Sequence, residues 1–266
     1  GIDSPISEKD PSIPFLPQTD YVSVSLKFNT YQGLSQAIDV KFGPEKSARG
    51  FKELQGWRPN PAQVKVPLKE GAGQLRAVGR MAGILALQDS VRERLKFAFR
   101  QCEAGGPELA EVSRHLGVQV PPGTIVPDPI TVIIGSMAGG TGAGIMLDVV
   151  DLVRRSHVKG AFPVLVAFTP DIFGTLKAHT MTANSAAFVA EMLSGYWDDE
   201  NTDNVLIPET VSVGTRGAHS IFMIGRTNLD GLDLMNSNNV YRAVGETLAA
   251  VTTSSSIAAS AMLPTA

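Results

Sequence analysis

A chain of 266 residues with 43% hydrophobic and 18% charged residues has the composition of a globular protein, long enough for one large domain or two small ones. Its net charge of −3 argues against a nucleic-acid partner bound by bulk electrostatics. The sequence has no uninterrupted run of about 18 apolar residues, so no membrane span is predicted. The single cysteine, Cys102, excludes an intramolecular disulfide and favours a reducing, cytoplasmic setting.

The first half of the chain contains few regular patterns. Residues 5–20 carry four prolines and predict an extended loop. Residues 21–28 alternate apolar and polar side chains as a strand does, and residues 34–39 predict a short helix. Helical spacing of apolar residues then predicts one amphipathic helix or a pair of helices over 75–102, and a short helix over 108–116.

The second half alternates short apolar runs with amphipathic segments. Strands are predicted at 130–134, 162–168 and 220–225, and helices at 145–156, 176–196 and 236–262. Strands that alternate with helices pair in parallel, and continuously apolar runs are typical of strands covered on both faces. The sequence therefore predicts an α/β fold, a Rossmann-like and mainly parallel sheet with helices on both faces.

A glycine-rich loop lies between the first of these strands and its helix. Residues 139–144 read Gly-Gly-Thr-Gly-Ala-Gly. Glycines let the backbone approach a ligand and adopt positive φ, and the dipole of a following helix favours an anion at its N-terminus. The pattern predicts a phosphate site, although a tight strand-to-helix turn that binds nothing has the same order of elements.

This loop has a counterpart in a known family. It contains no lysine, which excludes a Walker A loop. Gly139–Gly144 resembles the phosphate loop of the tubulin/FtsZ family, with Ala143 in place of the usual hydroxyl residue. Gly71-Ala72-Gly73, followed by Gly79-Arg80, resembles that family's Gly-Ala-Gly and Gly-Arg stretch. Further segments that resemble the family follow in its order, at 1–4, 163–170, 221–228 and 232–239. The chain is most similar to divergent bacterial tubulin-like proteins.

The resemblance implies the fold of the tubulin/FtsZ GTPase domain and a guanine nucleotide, GTP or GDP, as ligand. It is compatible with Mg²⁺ beside the phosphates, and it implies self-association into protofilaments in the full-length parent protein. Backbone N–H groups of the loop would hold the phosphates, namely those of Gly139, Gly140, Thr141, Gly142 and Ala143. The terminal phosphate would lie near Ala72 and Gly73.

Two further residues are implied for the sugar and the base. Asp171 would contact the ribose, although Gly174 occupies the position at which the family has glutamate. The family contacts the base through an aromatic residue and an asparagine one helical turn apart. Two pairs have that spacing here, Met235 with Asn239 and Leu234 with Asn238. An asparagine cluster before a helix is equally typical of N-capping, so both interpretations stand.

The resemblance also predicts the organisation of the chain. We expect a single nucleotide-binding domain over 1–266, with a family-specific insertion at 5–70. The family's first strand would precede Gly1, and its catalytic loop and second domain would follow Ala266, so we expect a fragment. Enzymatic activity is therefore left open, and we expect no phosphate release from GTP by this chain alone. Two alternatives are a tubulin-like scaffold without turnover and a dinucleotide-dependent α/β enzyme.

Overall fold

The computed structural model describes residues 2–3, 22–25, 28–42, 56–115, 130–156, 162–174, 178–193 and 217–253. Its elements in chain order are β1 (Ile2–Asp3), β2 (Val22–Ser23), α1 (Tyr31–Phe42), α2 (Arg76–Ala86), α3 (Arg92–Ala104), α4 (Gly106–His115), β3 (Ile130–Ser136), α5 (Gly140–Ser156), β4 (Phe162–Phe168), α6 (Ala178–Leu193), β5 (Ser220–Ile224) and α7 (Ser237–Thr253). The predicted loop at 5–20 lies outside the described residues.

The main sheet has three parallel strands in the order β3-β4-β5. Ile130 pairs with Phe162 and Val164 pairs with Ser220, so the carboxyl ends of the strands meet at one edge. A separate parallel pair is formed by β1 and β2. Helices flank the sheet, which confirms the predicted α/β fold with parallel strands.

Burial differs among the three strands of the main sheet. The central strand β4 is buried from its second residue onward, as its continuous apolar run predicts. In β3, by contrast, Ile134 is 49% exposed. The apolar run of β3 had predicted equal burial, but among the described residues β4 is its sole strand partner. The edge of β3 that has no described strand neighbour explains the exposure of Ile134.

The predicted helices exist, but their ends differ from the prediction. The amphipathic stretch over 75–102 forms α2 and α3, joined by a π-helical turn at Leu87–Val91. Among the described residues, the largest difference is at α5, which begins at Gly140 rather than at residue 145. Glycine lowers helix propensity, so local preference predicted a longer loop, whereas packing against neighbouring elements holds these residues in a helical turn.

Close packing of α2 on α5 depends on glycines at i, i+4 spacing, which lie on one face of each helix. Gly79 and Gly83 provide that face on α2, and Gly140 and Gly144 provide it on α5. A Cβ atom on Gly79 would lie 2.2 Å from the Gly140 carbonyl oxygen. The two backbones can touch here because neither helix carries a side chain at the contact.

The core divides around α5. One cluster joins α5 to α1, α2 and α3 and includes Leu34, Val78, Ile84, Ile145 and Leu152. A second joins α5 to β4 and α6 and includes Met146, Val150, Leu165 and Phe188. A small third cluster holds Phe168, Ile172 and Val240 at the end of β4 and on α7. Burial of one such side chain stabilises the fold by about 1.5–3 kcal/mol. Among the described residues, no helix is long and apolar enough to cross a bilayer.

The helix contact gives a test with an internal control. Gly79→Ala should lower the free energy of unfolding by about 1–3 kcal/mol, because the new methyl group meets backbone that cannot move aside. Gly245→Ala in α7 should be neutral or stabilising by up to about 1 kcal/mol, because no heavy atom lies within 4 Å of the new Cβ. Urea unfolding measures both, and equal effects of the two substitutions would contradict the packing described.

Candidate functional site

The glycine loop lies at the carboxyl edge of the parallel sheet. It is short, because β3 ends at Ser136 and α5 begins at Gly140. The Met137 N–H donates to the carbonyl of Phe168, the last residue of β4, at 3.0 Å. The loop is thus anchored to the end of the neighbouring strand, where ligands of open α/β sheets bind.

Backbone donors converge at the start of α5. The first four N–H groups of a helix have no partner inside it, here those of residues 139–142. The Gly140 N–H already donates to the Gly73 carbonyl at 3.2 Å. Those of Gly139, Thr141 and Gly142 donate to no carbonyl outside α5 among the described residues. Ala143 differs, because its N–H faces the carbonyl four residues back and pairs inside the helix.

The glycines of the loop serve packing more than backbone conformation. None in 139–144 has positive φ, contrary to the expectation from sequence, whereas Gly71 and Gly73 in the facing loop have φ of 124° and 58°. Cβ atoms would lie 2.8 Å from Gly73 O at Gly140, 2.4 Å from Ser136 O at Gly142, and 2.7 Å from Arg80 N at Gly144. A Cβ on Gly139 would meet no heavy atom within 4 Å. Packing therefore requires the other three glycines and leaves Gly139 unexplained.

A cavity of about 630 Å³ opens beside the loop. Its described wall contains Ala72, Gly73, Gly139, Gly140, Thr141 and Gly142, and it continues along β3 to Ile2 and Leu95. The structure thus brings six predicted phosphate residues together, while Ala143, Asp171 and Asn239 are outside this wall. The described wall has no charged side chain, so an anion here would be held by N–H groups and the helix dipole.

Polar side chains that the sequence analysis did not identify support the loop from behind. The Asn184 side-chain amide donates to the carbonyls of Gln74 at 2.9 Å and Ala138 at 3.0 Å. The Ser185 hydroxyl donates to the Met137 carbonyl at 3.0 Å. Both side chains are 7% exposed. The sequence signal that could have identified them is an Asn-Ser pair within an apolar helix. Buried polar groups require hydrogen-bond partners, so such a pair predicts a polar contact.

Two arginines of α2 add charged contacts around the same elements. Arg76 donates from Nε to the Ala143 carbonyl at 2.9 Å, and its guanidinium makes a two-pronged ion pair with Glu191 of α6. Arg80 pairs with buried Asp148 of α5, with Nε and Oδ2 separated by 3.3 Å, and lies over the Trp57 ring. These contacts tie α2 to both α5 and α6.

Asp171 links the loops that follow β4 and β5. Its Oδ2 accepts from the Arg226 N–H at 2.7 Å, and its Oδ1 accepts from the Thr169 hydroxyl. Burial alone would raise the pKa of Asp171, but these hydrogen bonds outweigh it and hold the pKa below its usual value. The ionised Asp171 side chain therefore stabilises the contact between the loops that follow β4 and β5.

The asparagine cluster before α7 adopts a capping geometry. Asn236 Oδ1 accepts from the Asn239 N–H at 3.0 Å, three residues into the turn, as an N-cap does. The Asn239 side-chain amide donates to the Leu234 carbonyl at 2.8 Å. Met235, which was expected to contact the base together with Asn239, has φ of 69° and is exposed. The capping interpretation thus describes Asn236.

The fold and the site define an α/β domain in which a glycine-rich loop and the start of α5 lie at the carboxyl edge of the parallel sheet. A family model described as tubulin-like matches residues 7–263. Because this match covers nearly the whole sequence, the chain belongs to the tubulin-like family, as its glycine loop and Gly-Ala-Gly stretch predicted. No curated protein and no solved structure matched the chain.

The Asp171 hydrogen bonds make a pH-dependent contribution to stability. The pKa of Asp171 is lower in the folded chain than its usual 3.8, so the unfolded state binds the proton more readily. The contribution is fully present above that usual value and is lost as pH falls through the lower folded value. Asp171→Asn should therefore lower stability at neutral pH and weaken its decline in acid. Urea unfolding from about pH 6 to pH 3 measures this, and parallel curves for both proteins would contradict it.

Proposed function

We propose that the chain binds a guanine nucleotide, GTP or GDP, with its phosphates at the start of α5, as a domain of a bacterial, self-assembling tubulin-like protein. The observation that carries the proposal is the set of N–H groups of Gly139, Thr141 and Gly142 beside the cavity. Family membership supports guanine nucleotide as the ligand.

The residues present fit phosphate chemistry. A hydrogen bond from a backbone N–H to a charged oxygen contributes about 1.5–3 kcal/mol, and the α5 dipole adds to it. Gly139 supports the fit independently, because among the described residues no heavy atom lies within 4 Å of the position its missing Cβ would take. Gly73 supplies a carbonyl to the Gly140 N–H, so this fourth donor would become available only if the facing loop shifts.

Ala72 and Gly73 form the opposite wall of the cavity and would approach the outer phosphates. Asp171 follows β4 and Asn239 opens α7 after β5. Parallel strands bring the segments that follow them to the same edge of the sheet, which supports sugar and base contacts by these residues. In that role Asp171 would use the acceptor capacity left beyond its two present hydrogen bonds.

Thr141→Arg should abolish nucleotide binding in a folded protein, because a long side chain would fill the space of the phosphates. Loss of two phosphate hydrogen bonds corresponds to an affinity lower by roughly 100-fold or more. Calorimetric titration with GTP, GDP, ATP and NAD measures affinity and class of ligand. Thr141→Ala is the matched control, since it keeps the backbone donors and should bind almost as the wild type does.

Two outcomes of this titration would overturn the proposal. Unchanged GTP affinity in folded Thr141→Arg would show that the loop is structural. Binding of NAD in preference to GTP would favour the dinucleotide-dependent alternative. The expected result is that the wild type and Thr141→Ala bind GTP and GDP tightly, whereas Thr141→Arg does not.

Self-association is the second part of the proposal, and it is supported by family membership. We expect the chain to sediment as larger species when GTP is added than when GDP is added, because nucleotide-dependent assembly is the common property of the family. Sedimentation velocity over a concentration series measures this. A monomer under every nucleotide condition would contradict assembly by this chain and leave nucleotide binding untouched.

A further inference from the structure

The loop at 137–139 and the loop at 71–75 meet through one buried side chain of α6. Asn184 donates both hydrogens of its amide, one to the Gln74 carbonyl and one to the Ala138 carbonyl. Both acceptors are carbonyls, which cannot donate, so the nitrogen of this amide must be the atom that faces them. This side chain therefore joins the two loops at the cavity mouth, in addition to the hydrogen bond from the Gly140 N–H to the Gly73 carbonyl.

These hydrogen bonds also orient the donors of the site. In a trans peptide group the N–H points opposite to the preceding C=O. Because Asn184 holds the Ala138 carbonyl on the side of α6, the Gly139 N–H points away from α6. No residue of α6 is in the described wall of the cavity, so this N–H lies on the face of the loop away from the helix. Ser185 holds the Met137 carbonyl in the same sense.

We propose that Asn184 is a positioning residue for nucleotide binding, which holds the two phosphate-facing loops in register and aims the Gly139 N–H at the ligand. This proposal rests on the proposed function. Asn184 touches no ligand itself, and its effect passes through the peptide groups after Gln74 and Ala138. A loop of glycines is mobile unless its peptide groups are held, so a ligand would otherwise have to order it on binding.

The test compares two apolar substitutions on α6. Asn184→Leu keeps the volume and removes both donors. Phe188→Leu is the matched control, because Phe188 is fully buried one turn further on, packs in the core between α5, β4 and α6, and has no side-chain donor for either loop. We expect Asn184→Leu to weaken GTP binding by roughly tenfold or more, the scale on which supporting hydrogen bonds act. Phe188→Leu should lower stability and leave GTP affinity within about twofold.

A second readout separates positioning from general destabilisation. A hydrogen bond to a carbonyl changes the ¹⁵N chemical shift of the next amide, so the signals of Leu75 and Gly139 should move together in Asn184→Leu and stay in place in Phe188→Leu. Unchanged GTP affinity in folded Asn184→Leu, or unmoved signals, would overturn the proposal. Asn184→Ser keeps one donor and carries the same test if Asn184→Leu does not fold.

The outcomes distinguish this proposal from the one on which it rests. A wild-type protein that binds no nucleotide would overturn the proposed function. Movement of the Leu75 and Gly139 signals in that case would still support Asn184 as the residue that holds the two loops. Binding by the wild type with unaltered affinity in both variants would retain the function and overturn the positioning role.

Discussion

The contact on which the site depends is the approach of the α2 and α5 backbones. Gly79 on one helix and Gly140 and Gly144 on the other leave no side chain between them, and any Cβ there would lie closer than 3.0 Å to backbone atoms. This approach brings the Gly73 carbonyl within hydrogen-bond distance of the start of α5. Without it, the loops at 71–75 and 137–139 would be separated by at least a layer of side chains, and the cavity mouth would not form.

Buried polar side chains supply hydrogen bonds to the carbonyls that the close helix packing leaves away from water. Packing two helices closely leaves loop carbonyls away from water, and each would destabilise the fold if it had no partner. Asn184 and Ser185 donate to three such carbonyls, those of Gln74, Ala138 and Met137, and Arg76 donates to the Ala143 carbonyl in the first turn of α5. The hydrogen bond to the Ala138 carbonyl turns the Gly139 N–H to the opposite face, where no carbonyl of the described residues outside α5 accepts it. The hydrogen bonds that stabilise the loop therefore also fix the direction of the Gly139 N–H.

Much of the fold follows from local pattern. The apolar run at 162–168 gives β4 with the same bounds, and the runs at 130–134 and 220–225 give β3 and β5 within two residues. Helix ends were less predictable. Gly142 and Gly144 have low helix propensity, yet packing against Ser136 and Arg80 holds them in the first turns of α5. The glycines at 139–144 predicted a phosphate site, but three of the four are required by packing contacts that no local pattern reveals.

The sequence by itself determined the family, the parallel α/β fold and the place of the glycine loop between a strand and a helix, because periodicity and motif are properties of neighbouring residues. Only the tertiary structure decided which backbone donors are left for a ligand. Gly140 donates to Gly73, some 67 residues away along the chain, and Asn184 joins Ala138 to Gln74, so these partners meet only after folding. The roles of Asp171 and Asn236 in linking and capping were decided in the same way, since a carboxylate or an amide takes its role from the donors and acceptors that the fold places beside it.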